Sequence, residues 1–129
     1  MMTDARDDSP LHVPNLGARG IRRRLAGGVL WAILTAGVLW WLWFTHKPSS
    51  WFAVTGLTAA MSAAGFLQAR ARTCVLLAAM GTRDHDAPVN RWDDNARSCA
   101  RQQARGVAGG AFLAGVLVSG LAYFVATTR

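Results

Sequence analysis

The sequence predicts an all-α integral membrane protein with three transmembrane helices, a helical hairpin followed by a third span. Three observations predict it. Hydrophobic residues make up 52% of the 129 positions and charged residues only 16%. The charges are interrupted by uncharged stretches of 22, 22 and 23 residues, at 25–46, 48–69 and 106–128, and a bilayer span needs about 20 mostly apolar residues. Basic residues also collect in alternate segments. Five arginines lie in 1–24, only Lys47 lies in the link 46–50, seven arginines lie in 70–105, and Arg129 is last. So little polar surface excludes a soluble globule and a disordered chain, and two cysteines exclude a disulfide-rich scaffold.

The charge pattern also predicts orientation. Translocating Lys and Arg is disfavoured, so segments rich in them stay cytoplasmic. Arg22, Arg23 and Arg24 before span one, Arg70 and Arg72 after span two, and Arg105 before span three mark the cytoplasmic boundary. The N-terminus is expected inside and the C-terminus outside, in a bacterial inner membrane. All seven acidic residues are Asp and Lys47 is the only lysine, a bias that fits a GC-rich bacterial genome. The net charge of +7 is accounted for by topology, so no nucleic-acid partner is expected.

Residues 1–20 hold Asp, Ser, Pro, Asn and Gly without a periodic apolar face and read as a flexible cytoplasmic tail. Residues 21–129 form the membrane domain. Span one covers about 25–45, too long for a signal-peptide core and followed by His46-Lys47-Pro48 instead of a small-residue cleavage site. It ends in Trp40, Trp41, Trp43 and Phe44, and span two begins at Trp51 and Phe52. Tryptophan prefers the headgroup layer, so these rings anchor the outer interface. Pro48 ends the helix, and Ser49 or Ser50 can cap the next.

Span two, about 51–69, is built from small residues. Gly56, Ala60 and Ala64 recur every four positions, a face that lets another helix approach closely. The next uncharged run, 73–82, is too short to span. It reads as helix two continuing into the cytoplasm and presenting Leu76, Leu77 and Met80 to a partner. Residues 81–89 read as a turn, and Asn90 with Asp93 as a capping box that starts helix three. Helix three carries Trp92, Ala96, Cys99 and Gln103 on one side and packs back on 73–80, so 70–105 form a cytoplasmic helical hairpin. It enters the membrane after Arg105, with span three at about 106–128. Gly106 and Gly110, then Ala111, Gly115 and Ser119, give small-xxx-small spacings. They suit a homodimer seam or packing against spans one and two; a three-helix protein needs such contacts internally, which favours the second.

Asn15-Leu16-Gly17 comes before Arg23, then Gly27 and Leu30 open span one, and Arg72-Thr73-Cys74 leads to Gly81. This resembles the small two-helix inner-membrane domain of unknown function that occurs alone and fused to rhodanese-type sulfurtransferases. That family carries an Asn-x-Gly element and an arginine before span one, and a Cys-Pro pair and a glycine after span two. The resemblance covers about residues 15–81. Val75 replaces the usual Pro, no rhodanese domain is present, and a third span is added. The resemblance implies a bacterial inner-membrane hairpin with a cytoplasmic cysteine. It implies no enzyme.

Cys74 and Cys99 are the candidate chemistry. Both fall on the expected cytoplasmic side, where thiols stay reduced, and an antiparallel hairpin about 81–89 would bring them near each other. Arg70, Arg72, Arg97 and Arg101 nearby would raise the nucleophilicity of a thiol. The alternatives are a redox pair or persulfide carrier on one hand, and two small buried hydrophobes in a helix interface on the other. Asp84-His85-Asp86 has no zinc spacing and reads as a solvated polar turn. No Asp, Glu, Lys, Arg or His lies within a span, which argues against a pump or a charged-substrate transporter. No catalytic, cofactor or metal site is expected. The leading expectation is a structural or protein-interaction membrane module that pairs with itself or another membrane protein in the lipid bilayer. A thiol protein of sulfur or redox handling comes second, and a holin-like pore former third.

Overall fold

The structure, a computed structural model, describes residues 13–46, 50–88 and 92–128. It contains α1 (Ala18–Thr45), α2 (Trp51–Ala71), α3 (Val75–Ala79) and α4 (Asp94–Thr127), with no strand among the described residues. The three long helices are each long and apolar enough to cross a membrane. At 1.5 Å per residue, α1 and α4 run to roughly 42 and 51 Å, beyond the ~30 Å hydrocarbon core. Their excess length is the arginine-bearing first turns.

α2 lies between its neighbours and packs against both α1 and α4, which hardly meet each other. The seam with α1 is a glycine crossing. A Cβ at Gly65 would stand 2.7 Å from the Gly28 Cα, so only glycine fits. The Ser62 hydroxyl donates to the Gly28 carbonyl at 2.9 Å. The seam with α4 repeats the device. A Cβ at Gly115 would stand 2.7 Å from the Gly56 carbonyl oxygen and 2.9 Å from the Ala60 Cβ. The Ser119 hydroxyl donates to the Phe52 carbonyl at 3.0 Å. Gly110 faces Leu67, and Ala111 is buried.

Most of the predicted small-residue face is therefore internal packing between α2 and α4. Gly106 is the exception, with open space where its Cβ would lie, and Ala64 is half-buried. Gly28, Ser62 and Gly65 form a second seam, between α1 and α2, outside the expected small-residue faces.

The aromatic rings gather at the opposite end from the arginines. Trp41 meets Trp51 edge-on at 5.1 Å, Trp40 stacks obliquely on Phe44 at 4.9 Å, and Phe52 meets Tyr123 edge-on at 5.9 Å. Trp40, Trp41, Trp43 and Trp51 are all exposed, as interface anchors must be. Tyr123 of α4 joins the same layer. The turn residues Lys47, Pro48 and Ser49 lie outside the described residues. Ser50 occupies the cap position of α2 without a side-chain cap bond.

Three expectations are corrected. Helix two does not continue past the membrane. Arg72 takes the left-handed conformation (φ 51°) and the chain turns. The Arg72 N–H bonds to the Ala69 carbonyl and the Thr73 N–H to the Gln68 carbonyl, the two bonds of a Schellman ending. Thr73 and Cys74 are then extended, and only the five residues of α3 resume helix. Of the three residues expected to face a partner, Leu76 on α3 and Met80 just after it are exposed, and Leu77 is half-buried.

The tail also stops earlier than residue 20. Val13, Asn15 and Leu16 are buried to 2% exposure or less, and α1 begins at Ala18. Helix three starts three residues later than expected. The Asp93 side chain caps it by accepting from the Ala96 N–H at 2.9 Å; Asn90 lies outside the described residues. The first turns of α4 do pack back on α3, through Ala78, Ala100 and Ala104 with Val75 and Trp92.

Candidate functional site

The residues with chemistry gather where the arginine ends of the helices meet. Asn15 is wholly buried and clamps Cys74. Its Oδ1 accepts from the Cys74 N–H at 2.7 Å, and its Nδ2 donates to the Cys74 carbonyl at 3.2 Å. An extended residue offers both backbone groups to one side, and a primary amide supplies one donor and one acceptor in matching geometry. The left-handed turn at Arg72 completes the arrangement. Its carbonyl accepts from the backbone N–H groups of both Asn15 and Leu16 at 3.1 Å.

Residues 81–88 close the clamp from the other side. Gly81, at φ +68°, ends α3 with a second Schellman pair, Gly81 N–H to the Ala78 carbonyl and Thr82 N–H to the Leu77 carbonyl. The Trp92 indole donates to the Gly81 carbonyl at 2.9 Å. The Asp84 N–H then donates to the Asn15 carbonyl at 2.9 Å. The Asp84 carboxylate accepts from the Gly17 N–H at 3.3 Å. Gly17 has no capping side chain and α1 has no acidic residue in its first turn, so this carboxylate from a distant loop caps the helix and meets the positive end of its dipole. Gly17 and Gly20 leave room for it, since a Cβ at either would run into Asp86 or Asp84. Asp84-His85-Asp86 is thus tied into the fold through Asp84, while His85 and Asp86 stay exposed.

The two cysteines differ. Cys74 is 1% exposed, and its Sγ accepts from the Arg24 guanidinium at 2.8 Å. None of Arg70, Arg72, Arg97 or Arg101 makes a hydrogen bond to it; the basic partner comes instead from α1, on the face shared by residues 16, 20 and 24. Cys99 is half-buried on α4, and the Gln103 Nε2 donates to its sulfur at 3.7 Å. The Gln103 Oε1 accepts from Thr73 at 3.0 Å. Gln103 therefore links the two cysteine-bearing segments without joining the sulfurs, and neither cysteine is in a disulfide.

A cleft of about 500 Å³ opens beside Cys74. Arg19, Arg23 and Arg24 line one wall, Leu76 and Leu77 another, and Asp84, His85 and Asp86 the rim. Among the described residues no three His, Cys, Asp or Glu side chains converge on a metal position. A larger apolar cleft, about 1020 Å³, lies at the aromatic end between α1 and α4, with Leu39, Leu42 and Trp43 facing Val118, Leu121 and Val125.

Asn15, Gly17, Arg24, Cys74 and Asp84 come from the two ends of a long hairpin and are linked by hydrogen bonds. The position that reaches the sulfur is Arg24, one residue beyond Arg23. No family profile, curated protein or solved structure matches the chain. The fold and these contacts define an all-α protein with three membrane-spanning helices and a buried thiol at their arginine-rich end.

Proposed function

We propose that this chain is a helix-packing module of a bacterial cytoplasmic membrane that partners a second copy of itself or another membrane protein. The observation that carries the proposal is the apolar cleft between the aromatic ends of α1 and α4. α2 gives one side to its two glycine seams and keeps Val54, Leu57 and Met61 exposed on the other. α1 and α4 keep outward faces where Gly37 and Gly120 have open space around them, and bare helix backbone is what close association in lipid uses. The alternation of arginine-rich and arginine-poor segments supports a cytoplasmic N-terminus and an external C-terminus. The clamp of Asn15 on Cys74 joins the two ends of residues 15–81 and supports reading them as a hairpin of the rhodanese-associated kind.

The test is oxidative crosslinking in membranes of a Val118→Cys chain carrying Cys99→Ala. Disulfide-linked dimers, or capture of one defined membrane protein, support the module. A chain that stays monomeric at every lipid dilution and crosslinks to nothing overturns it.

A second reading, a thiol protein of sulfur or redox handling, rests on the Arg24 guanidinium 2.8 Å from the Cys74 sulfur. It requires that Cys74 label with maleimide in the folded protein. Labelling confined to the unfolded chain removes this reading and leaves the packing module.

A further inference from the structure

The arginine cleft beside Cys74 has more positive charge than its surroundings answer. Arg19 and Arg23 are one turn apart on α1, and Arg24 shares their face. All three, with Arg22, lie in the first two turns of a helix whose first turn holds no acidic residue. Like charges at i and i+4 repel, and cations at a helix N-terminus oppose the dipole. Among the described residues, Arg19, Arg23 and Arg24 form no ion pair. Arg97 does pair with Asp94, on α4. Asp84 and Asp86 stand on the rim of the cleft, but Asp84 is engaged at the Gly17 N–H. Arg24 places one nitrogen on the Cys74 sulfur, and a guanidinium has five N–H donors. Arg19 and Arg23 are exposed and keep all of theirs for something else.

The same cleft has an apolar wall. Leu76 is 63% exposed although it lines the cleft with Leu77, and the uncharged stretch of α1 begins at Leu25, directly after Arg24. A fork of guanidiniums at the edge of the hydrocarbon, beside exposed leucines, has the chemistry of an amphiphilic anion. Guanidinium geometry matches phosphate oxygens two at a time. A soluble phosphate would leave the leucines in water; a phospholipid would cover them with its acyl chain.

We infer that this cleft binds the headgroup of an anionic phospholipid, with Arg19, Arg23 and Arg24 on the phosphate and Leu76 and Leu77 along the chain. The occupant's phosphate adds negative charge to that of Asp84 and Asp86, which face three guanidiniums across the cleft. The inference does not depend on the packing module, because it concerns the opposite end of the molecule.

The test uses the purified full-length chain in a neutral detergent, titrated with dioleoyl phosphatidylglycerol and, separately, dioleoyl phosphatidylcholine, and read by native mass spectrometry. Phosphatidylglycerol should bind roughly tenfold more tightly. Arg19→Gln with Arg23→Gln should erase that preference while leaving the helical circular dichroism intact, since neither side chain holds the fold. Arg22→Gln with Arg70→Gln removes the same net charge outside the cleft and should leave the preference in place. Equal affinity for the two lipids overturns the inference. So does equal loss in both double variants, which would mean diffuse surface charge. Millimolar inorganic phosphate separates the two phosphate sources. If phosphate alone raises the melting temperature through Arg19 and Arg23 while the lipid preference is absent, the ligand is soluble and the lipid assignment falls.

Discussion

Replacing Asn15 with alanine should expose a thiol 59 residues away. The substitution removes two hydrogen bonds, and their losses are unequal. The Cys74 carbonyl keeps a partner, because the Ala78 N–H also donates to it at 2.9 Å; losing the Asn15 Nδ2 there costs about 1 kcal/mol. The Cys74 N–H loses its acceptor while 1% exposed, and an orphaned buried donor costs about 1–3 kcal/mol. The backbone bonds of Asn15 to Arg72 and Asp84 survive, so the clamp weakens without vanishing. The sum, about 2–4 kcal/mol, should raise local opening roughly thirtyfold or more, since each 1.4 kcal/mol is a factor of ten. The assay is the rate of maleimide labelling of Cys74 in membranes, in a chain carrying Cys99→Ala, with the detergent-unfolded chain as the upper limit. A rate within about twofold of the unsubstituted chain would refute the reasoning, because it would mean that Asn15 does not hold Cys74 closed.

The remaining predictions concern the seams, the cap and the orientation. Gly65→Val and Gly115→Leu each drive a side chain into a neighbouring backbone, and should cost about 3 kcal/mol or prevent folding, whereas Gly106→Leu, which faces open space, should stay within about 0.5 kcal/mol; denaturing-detergent titration measures all three. Asp84→Ala should destabilise the chain by about 1 kcal/mol by uncapping α1, a change the same titration resolves. Alkaline phosphatase fused after Arg129 should be active and fused near Val89 inactive; the reverse pattern means the orientation is inverted.

The membrane helices were legible because their signals are long. Charge-free stretches of 22 and 23 residues, a clustered Trp layer and arginines at three boundaries each average over many positions. The glycine faces of α2 and α4 were legible as faces but not as pairs. Spacing shows that Gly56 and Gly115 permit close approach, and only the structure shows that they meet each other. Gly28 with Ala32 and Ala36, and Gly65 with Ala69, also recur at four-residue intervals, a spacing that permits close approach without showing that Gly28 and Gly65 meet each other. The clamp was hidden for a different reason. Asn15 sits among Pro, Gly and Leu and resembles loop, and its two partners are backbone groups, which carry no sequence signature. The break at Arg72 was equally silent, since the left-handed turn uses no glycine or proline. A helix through 73–80 was the natural expectation until Asn15 took the Cys74 backbone out of it. Arg24 was not legible as the thiol's partner, because contact across a helical hairpin joins its most distant ends and Arg24 is 50 residues from Cys74.

Without a hydrophobic force to gather helices in lipid, packing and interhelical hydrogen bonds must hold them, and α2 uses one device on both sides. Each seam joins a glycine crossing to a serine hydroxyl on a neighbouring carbonyl, Ser62 to Gly28 and Ser119 to Phe52. The seams differ in what supports them. α1 is also held at its start by Asp84 and by the segment that carries Asn15, and the first turns of α4 are held by α3. At the aromatic end neither α1 nor α4 has an equivalent tie to the other, and the large cleft lies between them there. The molecule is therefore tied at the arginine end and open at the aromatic end. A helix that binds between α1 and α4 would enter where the fewest internal bonds need to break. Its arrival would be felt at Trp43 and Phe52, which line the cleft, well before it could disturb Cys74.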